Sequence, residues 1–257
     1  MGSLISKRAL VTAGAQGIGL AISRHLLAAG CDVFVHYRTS AEAAHALEPE
    51  ATALGRRCGS AGADLTDTAG CDQLVAEAVN FLGGLDILVN NAGSLVARKL
   101  LAEADDAFWA EVMALNVGSL RRVTRAAAPH LIEAARTRSG ASIVNLSSLA
   151  GRKGGHAGSL AYATAKGAVL TYTRALANEL GPQGIRVNAL APGLILGTSF
   201  HNTHTTPESA QATVAGIPLG RAGTADDVAR AVCFLASEYD GFITGATLDI
   251  NGGVWAG

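Results

Sequence analysis

Short apolar segments alternate with longer amphipathic segments along the whole chain. Six apolar segments are rich in Val, Ile and Leu and end in Gly, Asn, Ser or Pro, which predicts strands buried on both faces. They are RALVT, CDVFVHY, LDILVNNAG, ASIVNLSS, IRVNALAPG and ATLDING, and RRCGSAGADL is a weaker seventh strand. Between them the periodicity predicts helices over 17–29, 41–54, 68–82, 105–135, 160–180 and 224–237.

The repeated strand–helix–strand order indicates right-handed crossovers onto one parallel sheet. We therefore predict an α/β fold: a single Rossmann-type domain over residues 1–257, with a doubly wound parallel sheet of about seven strands and helices on both faces. The long irregular stretch 192–223 interrupts this order, and its part 194–216 is expected to be a substrate lid. Ligands of such sheets bind at the carboxyl ends of the strands.

Composition excludes several classes of function. Hydrophobic residues make up 49% and charged residues 16% of the chain, and the net charge is −1, so we expect neither a nucleic-acid partner nor an anionic membrane partner. The four cysteines form no C-x-x-C pair, which favours reduced thiols over a disulfide framework or a structural zinc. No apolar run has the length of a membrane span, and the opening MGSLISKRAL has too short an apolar segment for a secretory signal. We expect a cytoplasmic protein.

The segment TAGAQGIG follows the first predicted strand and opens the first predicted helix. A glycine-rich turn there lets the backbone approach a phosphate at the helix N-terminus, but a plain tight turn would look the same. The spacing of Gly14, Gly17 and Gly19 is G-x-x-G-x-G, which differs from the common dinucleotide fingerprint.

The spacing instead resembles T-G-x-x-x-G-x-G, the loop of the short-chain dehydrogenase/reductase family, except that Ala13 replaces the first glycine. The turn must tolerate this alanine or shift its glycine by one. Other family motifs follow in order at the strand ends over nearly the full length: NNAG, ALNVGS, NLSSLAG, YATAK and APG. The chain is similar to the branch that includes 3-oxoacyl-carrier-protein reductases and many sugar, polyol and carbonyl reductases.

The resemblance implies that Tyr162 is the acid–base residue of a carbonyl reduction. Tyr162 and Lys166 are four residues apart and share one helix face. We expect the ammonium of Lys166, together with an oxidised nicotinamide, to lower the pKa of the phenol toward neutrality.

The resemblance also implies that Ser148 stabilises the substrate oxygen and that Asn116 anchors a water in a proton relay to Lys166. Ser148 precedes Tyr162 by fourteen positions, one more than the family spacing, and the glycine-rich loop between them can absorb the extra residue. Ser147 is the competing assignment, although it is expected to point to the opposite strand face and pack. For Asn116 the alternative is a surface polar residue.

A nicotinamide cofactor is the expected ligand of the glycine-rich edge. NADP(H) is preferred because no carboxylate ends the second strand, where Tyr37 is followed by Arg38 and Thr39. NAD(H) remains the alternative, since Gln16 stands where many NADP-dependent relatives carry a second cation. The resemblance implies that Asp64 lies beside the adenine, with Asp67 or Thr66 as the cap of the next helix. The full set of expected cofactor contacts is Thr12, Gly14, Gln16, Gly17, Ile18, Gly19, Tyr37, Arg38, Thr39, Asp64, Leu65, Asn91, Ala92, Gly93, Tyr162, Lys166, Pro192, Gly193 and Ile195.

Two further features leave alternatives open. His201 and His204 form an H-x-x-H pair, but two imidazoles are too few for a zinc site, and we expect no metal. Arg152, Lys153 and His156 flank the expected site, where they favour an anionic substrate or simply form a solvated loop.

We predict an NAD(P)-dependent oxidoreductase that interconverts a small-molecule carbonyl and a secondary alcohol. The alternatives are a non-enzymatic nucleotide-binding regulator on the same fold, and a sugar-nucleotide epimerase or dehydratase, for which 257 residues lack the substrate domain. The resemblance implies a homotetramer, as in most relatives of this branch. Helices 105–135 and 160–180 carry Ala and Leu on more than one face, and Trp255 is expected to be exposed, which suits such an assembly.

Overall fold

The structure is a computed structural model that describes residues 4–138, 140–198, 206–237 and 241–256. Seven strands form one parallel sheet in the order β3-β2-β1-β4-β5-β6-β7. The strands are β1 Arg8–Val11, β2 Asp32–Tyr37, β3 Cys58–Gly62, β4 Ile87–Asn90, β5 Ala141–Leu146, β6 Ile185–Pro192 and β7 Thr247–Ile250. This confirms the predicted fold class.

Helices cover both faces of the sheet. The ten α-helices of the described ranges are α1 Gly17–Ala28, α2 Ala41–His45, α3 Leu47–Ala53, α4 Thr68–Leu82, α5 Asp106–Met113, α6 Ser119–Thr137, α7 Leu149–Lys153, α8 Leu160–Leu180, α9 Pro207–Ala215 and α10 Ala225–Ala236. A π-helical turn, Ala114–Gly118, joins α5 to α6, and a short 3₁₀ turn, Gly181–Gln183, follows α8.

Two cores form because alternate residues of each strand face opposite sides. Ala9 and Val11 of β1 pack with α1, α3 and α10, whereas Leu10 between them packs with α4, α6 and α8. Since both faces are covered, the central strands are apolar throughout rather than alternating, as the sequence indicated.

Two predicted helices are divided in the structure. The segment 41–54 forms α2 and α3 because Pro49 has no N–H to donate to His45 and cannot continue the first helix. The segment 105–135 forms α5 and α6 around the π-helical turn, which contains Asn116. Asp105 caps α5 by accepting a hydrogen bond from the Phe108 N–H.

Two helices lie where the sequence analysis placed none. Helix α9 lies within the stretch expected to be irregular; Thr206 caps it and Pro207 is its first residue, a pattern typical of a helix start. Helix α7 follows β5 directly and is capped by Ser148. In the part of the chain that the structure describes, no helix is both long and apolar enough to cross a membrane.

The carboxyl ends of all seven strands meet at one edge, called here the carboxyl edge. The strand order reverses between β1 and β4, whose following segments diverge to opposite faces and leave a crevice between them.

Candidate active site

The loop between β1 and α1 tolerates alanine in place of the family's first glycine. Ala13 has φ +48° and Gly17 has φ +52°, so both lie in the left-handed region. A small side chain there costs about 1 kcal/mol relative to glycine. Gly19 admits no side chain, since a Cβ would lie 2.1 Å from the Ala13 carbonyl oxygen. The backbone can therefore approach a pyrophosphate closely at this turn.

Several of the predicted cofactor-contact residues hold this loop in place through hydrogen bonds and packing. The buried Thr12 hydroxyl accepts hydrogen bonds from the N–H groups of Asn91 (2.9 Å) and Ala92 (3.0 Å). The Asn91 amide donates to the carbonyls of Thr12 and Ala13, both at 3.1 Å. Gly14 also belongs to this packing, since a Cβ there would lie 2.9 Å from the Ser23 hydroxyl.

His36 is a further brace that the sequence analysis missed. This buried side chain accepts a hydrogen bond at Nδ1 from the Ala13 N–H (2.9 Å) and donates from Nε2 to the Ala63 carbonyl (3.0 Å). Only the neutral ring can do both, and burial lowers the pKa of His36 accordingly. A lone histidine in the otherwise apolar strand β2 was the available signal.

A cavity of about 490 Å³ opens at the carboxyl edge. Eleven of the predicted site residues line it: Gln16, Gly17, Ile18, Asn91, Gly93, Ser148, Tyr162, Lys166, Pro192, Gly193 and Ile195. Its size is within the range of small-molecule and cofactor sites. Residues from loops after β1, β4, β5 and β6 thus meet in one crevice.

Tyr162 and Ser148 meet inside this cavity. Helix α8 carries Tyr162, and the Ser148 hydroxyl is hydrogen-bonded to its phenol. Ser148 also accepts a hydrogen bond from the Ala150 N–H at 3.1 Å, which caps α7. The cap uses a lone pair of the hydroxyl oxygen and leaves its hydrogen available for the phenol or a substrate oxygen.

Burial shifts the pKa of Tyr162 against the expected direction. It raises the pKa of the phenol to about 12, while the hydrogen bond from Ser148 acts the opposite way. The expected lowering involves Lys166 together with an oxidised nicotinamide; in the protein without the cofactor, burial is the largest cause of the shift. Burial also lowers the pKa of Lys166 to about 8, so the ammonium form of Lys166 is less strongly favoured at neutral pH.

Lys166 and Asn116 lie side by side behind Tyr162. Lys166 is buried and donates from Nζ to the Leu146 carbonyl at 2.7 Å. A Cβ built on Gly93 would lie 3.0 Å from that Nζ and 2.6 Å from Asn116 Oδ1, so both atoms border the same small space. Gly93 is therefore required for this arrangement.

Asn116 is fully buried, which excludes the surface alternative. Its amide donates to the carbonyls of Ser94 (2.8 Å) and Val112 (2.9 Å), and its Oδ1 accepts from the Ser94 N–H at 3.1 Å. The π-helical turn places the side chain to make these bonds, and such turns are frequent at functional sites.

The structure separates the two neighbouring serines. The buried Ser147 hydroxyl donates to the Lys166 carbonyl at 2.7 Å and so ties β5 to α8. Because this bond uses its only proton, the geometry favours Ser148 as the hydroxyl that contacts the substrate oxygen.

The residues after β2 and β3 lie outside the cavity lining. Arg38 and Thr39 are exposed, and the charge of Arg38 contributes to lowering the pKa of Asp64. The larger cause is Thr66, whose hydroxyl and N–H both donate to the Asp64 carboxylate. Asp67 caps α4, in agreement with the sequence, and the Leu65 side chain is buried in the core.

The segment expected to form a lid borders the cavity on one side. Leu194, Ile195, Thr198, Ser209 and Thr213 line it. His201 and His204 lie outside the described residues. Within the described ranges, no group of three or more His, Cys, Asp or Glu side chains is placed to hold a metal.

Trp255 is not the exposed side chain that the sequence indicated. It is half-buried, and the Arg152 guanidinium lies 5.6 Å from its ring centroid. Arg152 also pairs with Asp249 at 3.0 Å, so this cation belongs to the packing of α7 against β7 rather than to a solvated loop.

Comparison with known proteins agrees with this geometry. Residues 12–255 match a family model described as enoyl-(acyl carrier protein) reductase. A 3-oxoacyl-[acyl-carrier-protein] reductase from Chlamydia pneumoniae is 37% identical over 254 residues, covering 98% of both chains.

Two solved structures superpose closely. An NADH-dependent reductase complexed with NAD has a TM-score of 0.88 and 33% identity, covering 99% of this chain and 98% of that one. A short-chain dehydrogenase from Burkholderia cenocepacia in complex with NADP has a TM-score of 0.90 and 36% identity, covering 99% and 100%. The full-length matches confirm the resemblance inferred from the motifs: the chain belongs to the short-chain dehydrogenase/reductase family and is an NAD(P)-dependent oxidoreductase.

Proposed function

We propose that this enzyme interconverts a carbonyl compound and a secondary alcohol, with Tyr162 as the acid–base residue. The observation that supports this most strongly is the contact between Tyr162 and Ser148 inside the cavity, with the Lys166 ammonium 5.8 Å from the Tyr162 ring centroid. The cavity also reaches the glycine-rich turn, where a dinucleotide's phosphates fit close to the backbone.

A nicotinamide bound beside Tyr162 supplies or accepts the hydride. In reduction, the Tyr162 phenol donates its proton to the carbonyl oxygen as the carbon gains the hydride, and the Ser148 hydroxyl donates a hydrogen bond to the same oxygen. Lys166 then returns a proton toward the phenolate, and Asn116 holds the relay that reconnects Lys166 to solvent.

The raised pKa of Tyr162 suits the reductive direction. At neutral pH the phenol stays protonated and is ready to act as an acid. The oxidative direction requires the phenolate, which the positive charge of an oxidised nicotinamide would favour.

NADP(H) is the proposed cofactor, with NAD(H) as the alternative. Arg38 and Thr39 follow β2 without a carboxylate between them and the strand, which suits a 2′-phosphate. The solved relatives include complexes with each nucleotide. The nearby Asp64 carboxylate repels a 2′-phosphate. Arg38 is the cation that offsets this repulsion, so the preference for NADP(H) over NAD(H) depends on it.

The proposal includes one working domain, residues 1–257, with 194–216 as the substrate lid, in a cytoplasmic homotetramer. Apolar side chains exposed beside α5 and at the start of α8 support self-association: Leu101 (79%), Leu160 (44%) and Trp109 (37%). The outer face of α6 instead carries Arg121 and Arg125 and does not contribute. A monomer mass in light scattering at micromolar concentration would refute the tetramer.

The decisive experiment follows NADPH absorbance with a panel of oxoacyl thioesters, sugars and cyclic ketones. Steady oxidation by the wild type and none by Tyr162→Phe supports the proposal. Cofactor binding without turnover of any carbonyl would favour the alternative, a nucleotide-binding regulator.

A further inference from the structure

Three basic side chains border the outer part of the catalytic cavity. Arg98 comes from the segment after β4, and Lys153 and His156 come from the end of α7 and the loop that follows it. We call these three residues the cationic rim. All three are exposed, and all line the same cavity as Tyr162 and Ser148.

Two hydrogen bonds connect the segments that carry the rim. The Arg98 guanidinium donates to the Ala157 carbonyl at 3.3 Å, and the Lys99 N–H donates to the Gly158 carbonyl at 3.0 Å. Gly158 has φ +75°, and a Cβ there would lie 3.0 Å from Arg98 Cβ. The loop after α7 is thus held against the base of Arg98, which keeps the rim's cations on one side of the opening.

Acidic side chains do not contribute to the described lining of the cavity. None of the described residues lining it is Asp or Glu. A chain of net charge −1 therefore concentrates positive charge around its substrate opening.

Arg152, in the same helix as Lys153, is a cation whose contacts are purely structural. It pairs with Asp249 at 3.0 Å and its guanidinium lies over Trp255. Lys153, its neighbour, makes no ion pair with any described residue and lines the cavity instead. Adjacent cations thus have different surroundings, and only Lys153 faces the opening.

We propose that the cationic rim binds an anionic group of the substrate, so the enzyme prefers carbonyl compounds that carry a carboxylate or phosphate away from the reacting carbon. This inference rests on the proposed carbonyl–alcohol chemistry at Tyr162. Arg98 and Lys153 supply the charge, and His156 supplies a further hydrogen-bonding group. The rim raises the local concentration of anions and orients the carbonyl toward Tyr162.

The test compares matched substrates with and without the charge. Initial rates are measured with saturating NADPH for 4-oxopentanoate and its methyl ester, and for 5-oxohexanoate and its methyl ester, which vary the distance from the ketone to the carboxylate. The proteins are the wild type, Arg98→Gln, Lys153→Gln and the double variant. Arg136→Gln is the control, since this exposed arginine lies in the last turn of α6, toward the opposite edge of the sheet.

We expect wild type to favour the acid over its ester in kcat/KM for at least one of the two lengths. Each rim variant should reduce that preference about three- to tenfold, because exposed charged contacts are individually modest. The ester rates and the KM for NADPH should stay within twofold, and added NaCl should lower the acid rate more in wild type than in the double variant.

An acid-to-ester ratio that is the same in wild type and the double variant would overturn the proposal while leaving the carbonyl chemistry intact. Calorimetric titration of 4-hydroxypentanoate onto the NADP⁺-loaded proteins tests the rim without turnover. Weaker binding in Lys153→Gln but not Arg136→Gln supports the rim even if neither ketone is reduced; equal binding refutes it.

Discussion

The four residues proposed for catalysis, called here the catalytic corner, differ from the adenosine end of the expected cofactor site in how firmly their side chains are held. Ser148, Tyr162, Lys166 and Asn116 are tied to other groups by hydrogen bonds, and Lys166 and Asn116 are buried. At the adenosine end, Arg38 and Thr39 stand exposed on a loop. Proton transfer requires fixed positions and little water, whereas recognition of a phosphate requires only charge within reach.

The largest effect should come from the phenol itself. Tyr162→Phe removes the proton donor and should reduce kcat by about a thousandfold, in the range of general acid–base catalysis. Fluorescence titration should show NADPH affinity within threefold of wild type. Tyr172→Phe is the matched control on the same helix, at a half-buried tyrosine outside the cavity. Substantial activity in Tyr162→Phe would contradict the mechanism.

The next largest effect should distinguish Ser148 from Ser147. Ser148→Ala should reduce kcat about a hundredfold by removing the hydrogen bond to the developing oxyanion. Ser147→Ala should instead lower the melting temperature through its lost bond to Lys166, at a cost of about 1 kcal/mol in the free energy of unfolding. The reverse pattern of kcat losses would assign the oxygen contact to Ser147.

At the adenosine end, Arg38→Ala should reduce the NADP-to-NAD ratio of kcat/KM by about tenfold to a hundredfold, because one charged contact contributes about 1.5–3 kcal/mol. The kcat at saturating cofactor should not change. Asp64→Asn should shift the ratio a few-fold the other way by removing a carboxylate near Arg38. An unchanged ratio in Arg38→Ala would exclude the arginine from phosphate recognition.

The lowered pKa of Lys166 predicts a pH dependence of the reaction rate that arises in the catalytic corner. Burial lowers its pKa to about 8, so the ammonium is present below that pH and is lost above it. The kcat/KM for NADPH in reduction should therefore be flat near pH 7 and fall about tenfold per pH unit well above 8. A descending limb only near the ordinary lysine pKa would contradict this.

The smallest expected effect concerns His36, which connects β2 to the glycine-rich loop between β1 and α1. Protonation would remove the acceptor for the Ala13 N–H, and because burial lowers the pKa of His36, stability should decline as pH falls below about 6.5, the ordinary histidine value. NADPH affinity should weaken a few-fold over the same range. His36→Asn can retain the acceptor without titrating, so its NADPH affinity should vary less with pH; an equal dependence in both proteins would exclude His36.

The sequence predicted the parts of the fold that depend on local pattern. Helices α4 and α8 have the predicted bounds, because an amphipathic period and clear ends coincide there. The division at Pro49 and the π-helical turn at Asn116 escaped, because each depends on one interruption within an otherwise regular pattern. The motifs predicted the four residues proposed for catalysis, whereas the hydrogen bonds of His36 depend on β2 lying beside the loop between β1 and α1, which no local pattern shows.

Pattern also could not reveal which cations are neutralised. Arg152 and Lys153 are adjacent in sequence, yet Arg152 finds its carboxylate partner in Asp249, 97 residues away. Similarly, the direction of the Tyr162 pKa shift depends on burial of both Tyr162 and Lys166, which four-residue spacing alone does not determine.

The parallel pairing of β1 with β4 has a consequence for synthesis of the chain. Thr12 must meet Asn91, 79 residues later, before the phosphate loop is braced, and the cavity also needs Pro192 and Gly193 after β6. A ribosome-bound chain therefore cannot form the nucleotide site from its first βαβ unit alone. Contacts this distant form slowly, so the growing chain exposes apolar strands for much of its synthesis, a state in which aggregation competes with folding.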